Sequence, residues 1–147
     1  MNVNVTRKQN LNRRYMKLEA WQRGMDLFDL VFKATENVQD FKLRSQVRDA
    51  AQSVAANISE GYGRRTLPEY LQFLYFAKGS LAETLTRSIG LHNVGSLTRD
   101  QFEAIDALHY EVENRVLGLI PSLKTKLAGE TWNTGLPPVQ PRMVDVA

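Results

Sequence analysis

Four segments of this chain repeat their apolar residues at alternating spacings of three and four, and this periodicity constrains the fold more than any other feature. The pattern is clearest in the fourth segment, where the residues that follow it without a break are Phe102, Ile105, His109, Val112, Val116, Leu119 and Leu123. An apolar stripe with this period lies along one face of an α-helix. No segment shows the sustained two-residue alternation of a strand. The sequence therefore predicts an all-α protein, a four-helix bundle with antiparallel up-down-up-down topology.

Capping residues predict where the later helices begin. Helix N-termini favour Asp and Thr, and a Glu or Gln three residues after Thr completes a capping box. The candidates are Asp40 for the second helix, Thr66 with Glu69 for the third, and Thr98 with Gln101 for the fourth. We expect the second helix to run from about Phe41 to Gly61. We also expect Pro121 to kink or loosen the end of the fourth helix.

The first helix carries two apolar strips. The first strip has the spacing of a packing seam and consists of Leu18, Trp21, Met25, Phe28 and Phe32. Leu27, Leu30 and Val31 form a second strip beside it. Because two strips indicate contacts with more than one neighbour, we predict that the second strip lies in an interface between subunits of a homo-oligomer.

A polar stripe runs along the second helix beside several alanines. Ser53, Asn57, Glu60 and Arg64 follow one another at spacings of four, three and four, so they lie on one side of the helix. The stripe is either a binding surface or a hydrogen-bonded packing motif. Ser and Asn in the middle of a helix, next to alanines, favour packing, and we assign Ser53, Asn57, Glu60 and Gly61 to that motif.

Motifs for catalysis and for metal binding are missing from the sequence. The chain has no Cys, no Gly-x-Ser-x-Gly elbow and no Gly-x-x-x-x-Gly-Lys phosphate loop. Gly79, which precedes a serine in the third helix, is interpreted as a residue that permits tight packing. Of the two histidines, His92 and His109, only His109 has an acid, Asp106, at metal-binding spacing. Bundles that bind two iron ions use two Glu-x-x-His motifs. We therefore predict no metal, no cofactor and no enzymatic activity.

Nothing in the sequence directs the chain to a membrane or to secretion. No segment approaches the run of roughly 18 to 20 apolar residues that crosses a bilayer. The polar N-terminus lacks the apolar stretch of a secretion signal. We expect a cytoplasmic protein with no membrane partner.

Positive charge is concentrated in the first 17 residues. This segment holds five of the 19 basic residues and none of the 16 acidic ones, so 14 basic and 16 acidic residues remain for the rest of the chain. Basic arms commonly hold phosphate backbones, although a solvated, disordered tail has the same composition. We divide the chain into a basic arm at 1–17, a helical bundle at 18–127 and a flexible Pro-containing tail at 128–147.

An up-down topology would gather basic residues at one pole of the bundle, where the first and third helices begin and the second and fourth end. The residues of this basic pole are Arg13, Arg14, Lys17, Arg23, Arg64, Arg65, Lys124 and Lys126. Such a surface binds phosphates in a salt-dependent manner. The positions of Arg64, Lys124 and Lys126 are explained by the favourable interaction of cations with the C-terminal end of a helix dipole. This interaction does not explain the basic residues of the arm or Arg65. No interleaved aromatic residues point to base stacking, so the expected contact is with the nucleic-acid backbone.

Five motifs, in this order along the chain, carry a family resemblance. They are Leu18-Glu-Ala-Trp21, Gln46-Val-Arg48-Asp-Ala-Ala51, Ser53-x-x-x-Asn57-Ile58-x-Glu60-Gly61-x-x-Arg64, Glu69-Tyr-Leu-Gln-Phe73-Leu74 and Ala77-Lys-Gly79-Ser80-Leu-Ala-Glu83. The chain resembles, from about Leu18 to Leu127, the bacterial four-helix-bundle proteins named after intervening sequences in 23S ribosomal RNA genes. The resemblance implies antiparallel bundles that assemble as ring-like homopentamers.

The resemblance also implies partners. A related branch, the accessory variability determinant of diversity-generating retroelements, is a basic pentamer that binds nucleic acid and partners a reverse transcriptase. We predict a non-enzymatic, oligomeric accessory protein that binds nucleic acid, with RNA favoured over DNA by the family association. The alternatives are a protein-interaction scaffold that docks a partner such as a reverse transcriptase without binding nucleic acid, and an oligomer with a purely structural role.

Overall fold

The computed structural model describes residues 11–129, and the regular structure in that range is helical. The chain enters through a short 3-10 helix, Leu11–Lys17, and continues into four α-helices: α1, Glu19–Ala34; α2, Phe41–Tyr62; α3, Leu67–Asn93; and α4, Arg99–Gly129. No strand occurs between residues 11 and 129. The predicted all-α class and the four helices are confirmed.

The predicted caps hold the starts of three helices. The carboxylate of Asp40 accepts a hydrogen bond from the backbone N–H three residues later, at 3.0 Å. The hydroxyl of Thr66 accepts one from the N–H of Glu69, at 3.3 Å. Thr98 and Gln101 form a reciprocal capping box, in which each side chain accepts the backbone N–H of the other, at 3.1 and 2.9 Å. These bonds satisfy N–H groups that the first turn of a helix leaves unpaired.

Helix α4 continues through Pro121 as far as Gly129. A proline inside a helix has no N–H to donate to the carbonyl four residues back. One turn later, the hydroxyl of Thr125 donates a hydrogen bond to the carbonyl of Pro121, at 3.1 Å. The helix therefore ends beyond the boundary that the sequence predicted at Leu127.

Each α-helix packs against two others, since α1 and α3 both contact α2 and α4. The contact between α2 and α3 is the most extensive of these. The core holds apolar side chains that are almost completely buried, among them Leu27, Val31, Val54, Ile58, Leu74, Leu81, Ile105, Val112 and Val116. The apolar stripe predicted along α4 therefore faces the core.

Helix α1 buries its second strip more deeply than its first, although Trp21 of the first strip is in the core and Leu18, Met25 and Phe28 pack against it. Leu27 and Val31 are fully buried in the core of their own chain, so the prediction that these two residues form a subunit interface is wrong. Leu30 is partly buried, and its place in an interface stays a prediction. Phe32, from the strip predicted to pack inward, is 43% exposed.

A buried glycine lies beside the second strip of α1. Gly24 is buried and lies on the same face as Leu27 and Val31. A Cβ atom added at Gly24 would lie 3.4 Å from the Cβ of Ala55 in α2. This is an ordinary contact distance, so Gly24 lies where this face of α1 meets α2. Apolar spacing alone does not distinguish two strips of similar hydrophobicity.

The 3-10 helix contacts both α1 and α2, so the end of the predicted arm belongs to the fold. The ring of Tyr15 meets Trp21 edge to face, with centroids 5.5 Å apart, and meets Tyr62 in the same manner at 6.3 Å. The side chain of Gln22 donates a hydrogen bond to the carbonyl of Met16, at 2.8 Å. The rest of the predicted arm, residues 1–10, and the predicted tail from residue 130 onward lie outside the described residues.

One arginine secures the connection between α1 and α2. Arg48 donates from Nε to the hydroxyl of Thr35, at 2.9 Å, and from its terminal nitrogen to the carbonyl of Phe32, at 3.0 Å. Its guanidinium carbon lies 3.7 Å from the centroid of the Phe32 ring. A cation at the C-terminal end of α1 satisfies a free carbonyl and complements the helix dipole.

Candidate nucleic-acid interface

The polar stripe of α2 lies beside α3. Asn57 donates from Nδ2 to the carbonyl of Ser53, at 2.8 Å, and to the hydroxyl of Ser80 in α3, at 3.5 Å. The hydroxyl of Ser53 donates to the carbonyl of Asp49, at 2.9 Å. The amide of Asn57 therefore joins α2 to α3 by a polar contact.

Gly61 lies where α2 and α3 approach each other closely. A Cβ atom added there would stand 2.7 Å from the Cβ of Phe73 and 3.2 Å from the carbonyl oxygen of Tyr70. Real Cβ atoms essentially never come as close as the first of these distances. Gly79 differs, because it is exposed and no atom lies within 4 Å of its added Cβ. The prediction that Gly79 permits tight packing is therefore wrong within the single chain.

Arg64, at the end of the stripe, is held over an aromatic ring. It pairs with Glu60 one turn earlier, at 2.7 Å. Its guanidinium carbon lies 4.5 Å from the centroid of the Phe73 ring in α3. The Arg64 side chain is nevertheless 41% exposed, so part of its charge faces solvent.

Most other residues of the predicted basic pole are exposed. This holds for Arg13, Arg14, Lys17, Arg65, Lys124 and Lys126. Burial raises the pKa of Tyr62 at the end of α2, and the positive charge of Arg14 offsets part of that rise. The ammonium nitrogen of Lys124 lies 6.0 Å from the centroid of the Tyr75 ring. The 3-10 helix thus brings Arg14 to α2, and α4 brings Lys124 to the first half of α3.

Arg23 has a different environment, because two carboxylates neutralise it. It pairs with Asp26 at 2.8 Å and with Glu111 of α4. The hydrogen bond with Glu111 raises the pKa of Arg23, and the same bond lowers the pKa of Glu111. Arg23 therefore links α1 to α4, and its charge is balanced locally.

Exposed aromatic side chains cover the first half of α3, where sequence reasoning did not place a site. Tyr75 and Phe76 are 44% and 46% exposed. The Phe73 and Phe76 rings meet edge to face, with centroids 5.4 Å apart and an interplanar angle of 84°. We call Phe73, Tyr75 and Phe76 the aromatic band. Arg64 stands at one side of this band and Lys124 at the other.

The cluster of aromatic residues at 73–76 was visible in the sequence, but its cationic neighbours were not. Arg64 lies in the connection between α2 and α3, close in sequence to Phe73, whereas Lys124 lies in α4, far from Tyr75 along the chain. The packing of α4 against α3 brings Lys124 to the ring of Tyr75. This second association has no signal in any single segment of the sequence.

The buried histidine serves the core. His109 donates from Nε2 to the carbonyl of Leu81 in α3, at 2.7 Å, and a carbonyl acceptor requires the proton on that nitrogen. In the described part of the chain, no group of three or more His, Asp or Glu side chains is placed to hold a metal ion.

Between residues 11 and 129, no helix combines the length and apolar character that a membrane span requires.

A shallow apolar cleft lies between the start of α2 and the end of α3. Its volume is about 350 Å³. The lining residues are Leu43, Thr86, Arg87, Gly90, Leu91 and Val94. Arg87 is held in place by Glu83 and Gln46, both at 2.9 Å.

The fold and this surface define a class of protein: a four-helix protein that carries exposed cations around a band of aromatic side chains. A family model described as 23S rRNA-intervening sequence protein matches residues 16–118. The chain therefore belongs to the 23S rRNA-intervening sequence protein family, and the family resemblance that the motifs predicted is confirmed. Comparison with curated proteins found no match.

Among solved structures, the chain is similar to a protein of unknown function from the S23 ribosomal protein family of Bacteroides thetaiotaomicron VPI-5482. The two chains are 19% identical, with a TM-score of 0.57. The match covers 76% of this chain and 98% of the other. At this level of sequence identity, the similarity establishes a shared fold and nothing more.

Proposed function

We propose that this protein is a non-enzymatic, homo-oligomeric protein that binds nucleic acid, with RNA preferred, through the basic pole. One observation carries the proposal: Arg14, Lys17, Arg65 and Lys124 are all exposed. None of these four forms an ion pair with a carboxylate in the described range. Exposed cations without acidic partners attract phosphates, because binding releases condensed counterions from the polymer.

The proposal includes an antiparallel up-down-up-down topology, which would collect these cations at one pole. Paired residues support it. The first is the pair Glu19 and Arg115, which joins the start of α1 to the second half of α4. The others are Gly24 with Ala55, Asn57 with Ser80, and Leu81 with His109. In each pair of contacting helices, residues later in one helix meet residues earlier in the other.

Homo-oligomeric assembly, as a pentamer, is the second part of the proposal. A five-fold ring would repeat the basic pole five times and form a broad positive face. RNA is preferred over DNA because the family's description names a 23S rRNA and that of the similar solved structure names a ribosomal protein family. Light scattering of the purified chain tests the subunit number, and a monomer at all concentrations would contradict it.

The experiment for the basic pole compares salt dependence between variants. The test protein carries Arg14→Gln, Lys17→Gln, Arg65→Gln and Lys124→Gln together, and the control carries Arg99→Gln. Arg99 is 83% exposed but pairs with Glu103 at the start of α4, away from the proposed pole. For duplex DNA, each lost phosphate contact flattens the dependence of log affinity on log salt by about 0.9. We expect a flatter slope for the test protein and an unchanged slope for the control. Equal slopes would contradict the basic pole.

A second candidate function is an accessory subunit or scaffold that docks a protein partner, such as a reverse transcriptase. The apolar cleft between α2 and α3 favours this candidate, because Val94 at its edge is 68% exposed. Exposed apolar surface of this kind is typical of partner contacts. Docking without nucleic-acid binding at low salt, lost in Val94→Glu, would support the scaffold instead of the basic pole.

A further inference from the structure

We propose that the aromatic band of α3 stacks against unpaired bases, so that the preferred ligand is single-stranded RNA or an unpaired region within folded RNA. This inference rests on the proposed function and narrows its ligand class. Proteins that bind single strands combine cations, which hold the phosphate backbone, with aromatic rings that stack on successive bases. The band and its flanking cations supply both components.

The rings are available to a ligand. Tyr75 and Phe76 are adjacent in α3 and expose nearly half of their area. Gly79 lies one turn after both residues, on the same side of the helix. It is exposed and has no atom within 4 Å of an added Cβ. A base that approaches Phe76 therefore meets no side chain from position 79.

The cations stand where a backbone would pass. The Arg64 guanidinium lies over Phe73, which contacts Phe76 edge to face. On the other side, the ammonium group of Lys124 lies 6.0 Å from the ring of Tyr75. A strand that crossed α3 from α2 to α4 would meet a cation, the rings and a second cation in turn.

Acidic residues near the band cancel this charge only in part. Glu60 already pairs with Arg64, and Glu69 is exposed at the start of α3. Lys78, three residues after Tyr75, is exposed and adds a further cation. Three cations therefore face two carboxylates around the rings.

The same charge argues against a two-fold contact between the bands of two copies of this chain. A two-fold contact through the band would place identical patches against each other. The Arg64 and Lys124 of one copy would then face the Arg64 and Lys124 of the other. Like charges opposed at an interface are unfavourable, whereas a polyanion with exposed bases complements both the charge and the rings.

The experiment measures binding of a single-stranded RNA without self-complementarity and of the same sequence as a duplex. The test protein carries Tyr75→Leu and Phe76→Leu, which keep apolar side chains in the helix but remove the rings. The control is Tyr110→Leu, since Tyr110 is a 64% exposed tyrosine on α4 with no cation over its ring among the described residues. Thermal melting monitored by circular dichroism confirms that all three proteins are folded.

We expect the intact protein to bind the single strand more tightly than the duplex. Loss of the two rings should weaken single-strand binding by about five-fold or more for each ring. Duplex binding and the salt slope should remain unchanged, because the cations remain. Tyr110→Leu should bind both RNAs as the intact protein does.

Several results would overturn the proposal. Steeply salt-dependent binding that is equal for both RNAs and unaffected by Tyr75→Leu with Phe76→Leu would remove the stacking role and leave the basic pole intact. A change of oligomeric state in that variant, seen by light scattering, would identify the band as a subunit interface. Absence of binding to either RNA at low salt would remove the proposed function itself.

Discussion

Replacement of Gly61 by alanine tests the close contact of α2 with α3 at this residue. The added Cβ would stand 2.7 Å from the Cβ of Phe73, 3.1 Å from Cδ1 of Tyr70 and 3.2 Å from its carbonyl oxygen. Two of these three atoms cannot move without displacing the backbone of α3. Overpacking of this kind costs about 1–3 kcal/mol, while alanine gains at most about 1 kcal/mol of helix propensity over glycine. With the full gain subtracted, the free energy of unfolding should fall by up to about 2 kcal/mol.

Gly79→Ala is the matched control, because it makes the same chemical change in α3 where the added Cβ meets no atom within 4 Å. This variant should gain about 0.5–1 kcal/mol from helix propensity. Since about 1 kcal/mol shifts Tm by roughly 3 °C for a domain of this size, calorimetry at one protein concentration should show opposite shifts in Tm. If Gly61→Ala raised Tm as Gly79→Ala does, the close approach of α2 and α3 at Gly61 would be refuted.

Three further predictions concern the other helix contacts. Arg48→Met removes two hydrogen bonds at the end of α1 and should lower the free energy of urea unfolding by about 1–3 kcal/mol; an unchanged midpoint would contradict the role of Arg48. Folding lowers the pKa of the Glu111 carboxyl group. The ion pair of Glu111 with Arg23 therefore stabilises the fold at pH values above the ordinary carboxyl pKa of about 4.3. This stabilisation is lost as the pH falls through the lowered pKa of the folded state. Melting of Glu111→Gln should therefore differ from the intact protein at neutral pH and converge with it in acid. Leu27→Glu should unfold the chain, seen as lost helical signal, since it buries a charge; a folded but dissociated protein would restore the interface interpretation.

Periodicity and capping chemistry were sufficient to predict most of the fold. The α4 stripe contains Ile105, Val112 and Val116, which are fully buried, and the capping box of Thr98 with Gln101 forms as predicted. Both features depend on residues within one turn to a few turns of each other. Local rules therefore describe them well.

The two strips of α1 show where such rules fail. Leu27 and Phe32 belong to neighbouring strips of the same helix, and both strips are apolar. How deeply each strip is buried depends on the packing of α1 against α2 and α4. Those contacts are tertiary and have no signature in the spacing of α1.

The candidate site likewise has features that the sequence predicts and features that only the structure reveals. The exposure of Arg14, Lys17 and Lys124 was predictable, because Lys and Arg side chains are mostly exposed. The association of Lys124 with Tyr75 was not, since it arises from the packing of α4 on α3. Contacts between distant segments therefore decide whether the basic residues act alone or beside aromatic rings.

The measurement that tests the central claim most directly is a titration of the intact protein with structured RNA and with duplex DNA, at low and near-physiological salt. Several phosphate contacts at the basic pole predict that affinity falls by roughly a decade or more between the two salt concentrations. Affinity should fall in this way for both polymers, and RNA that contains unpaired bases should bind more tightly. No binding of either polymer at low salt would contradict it.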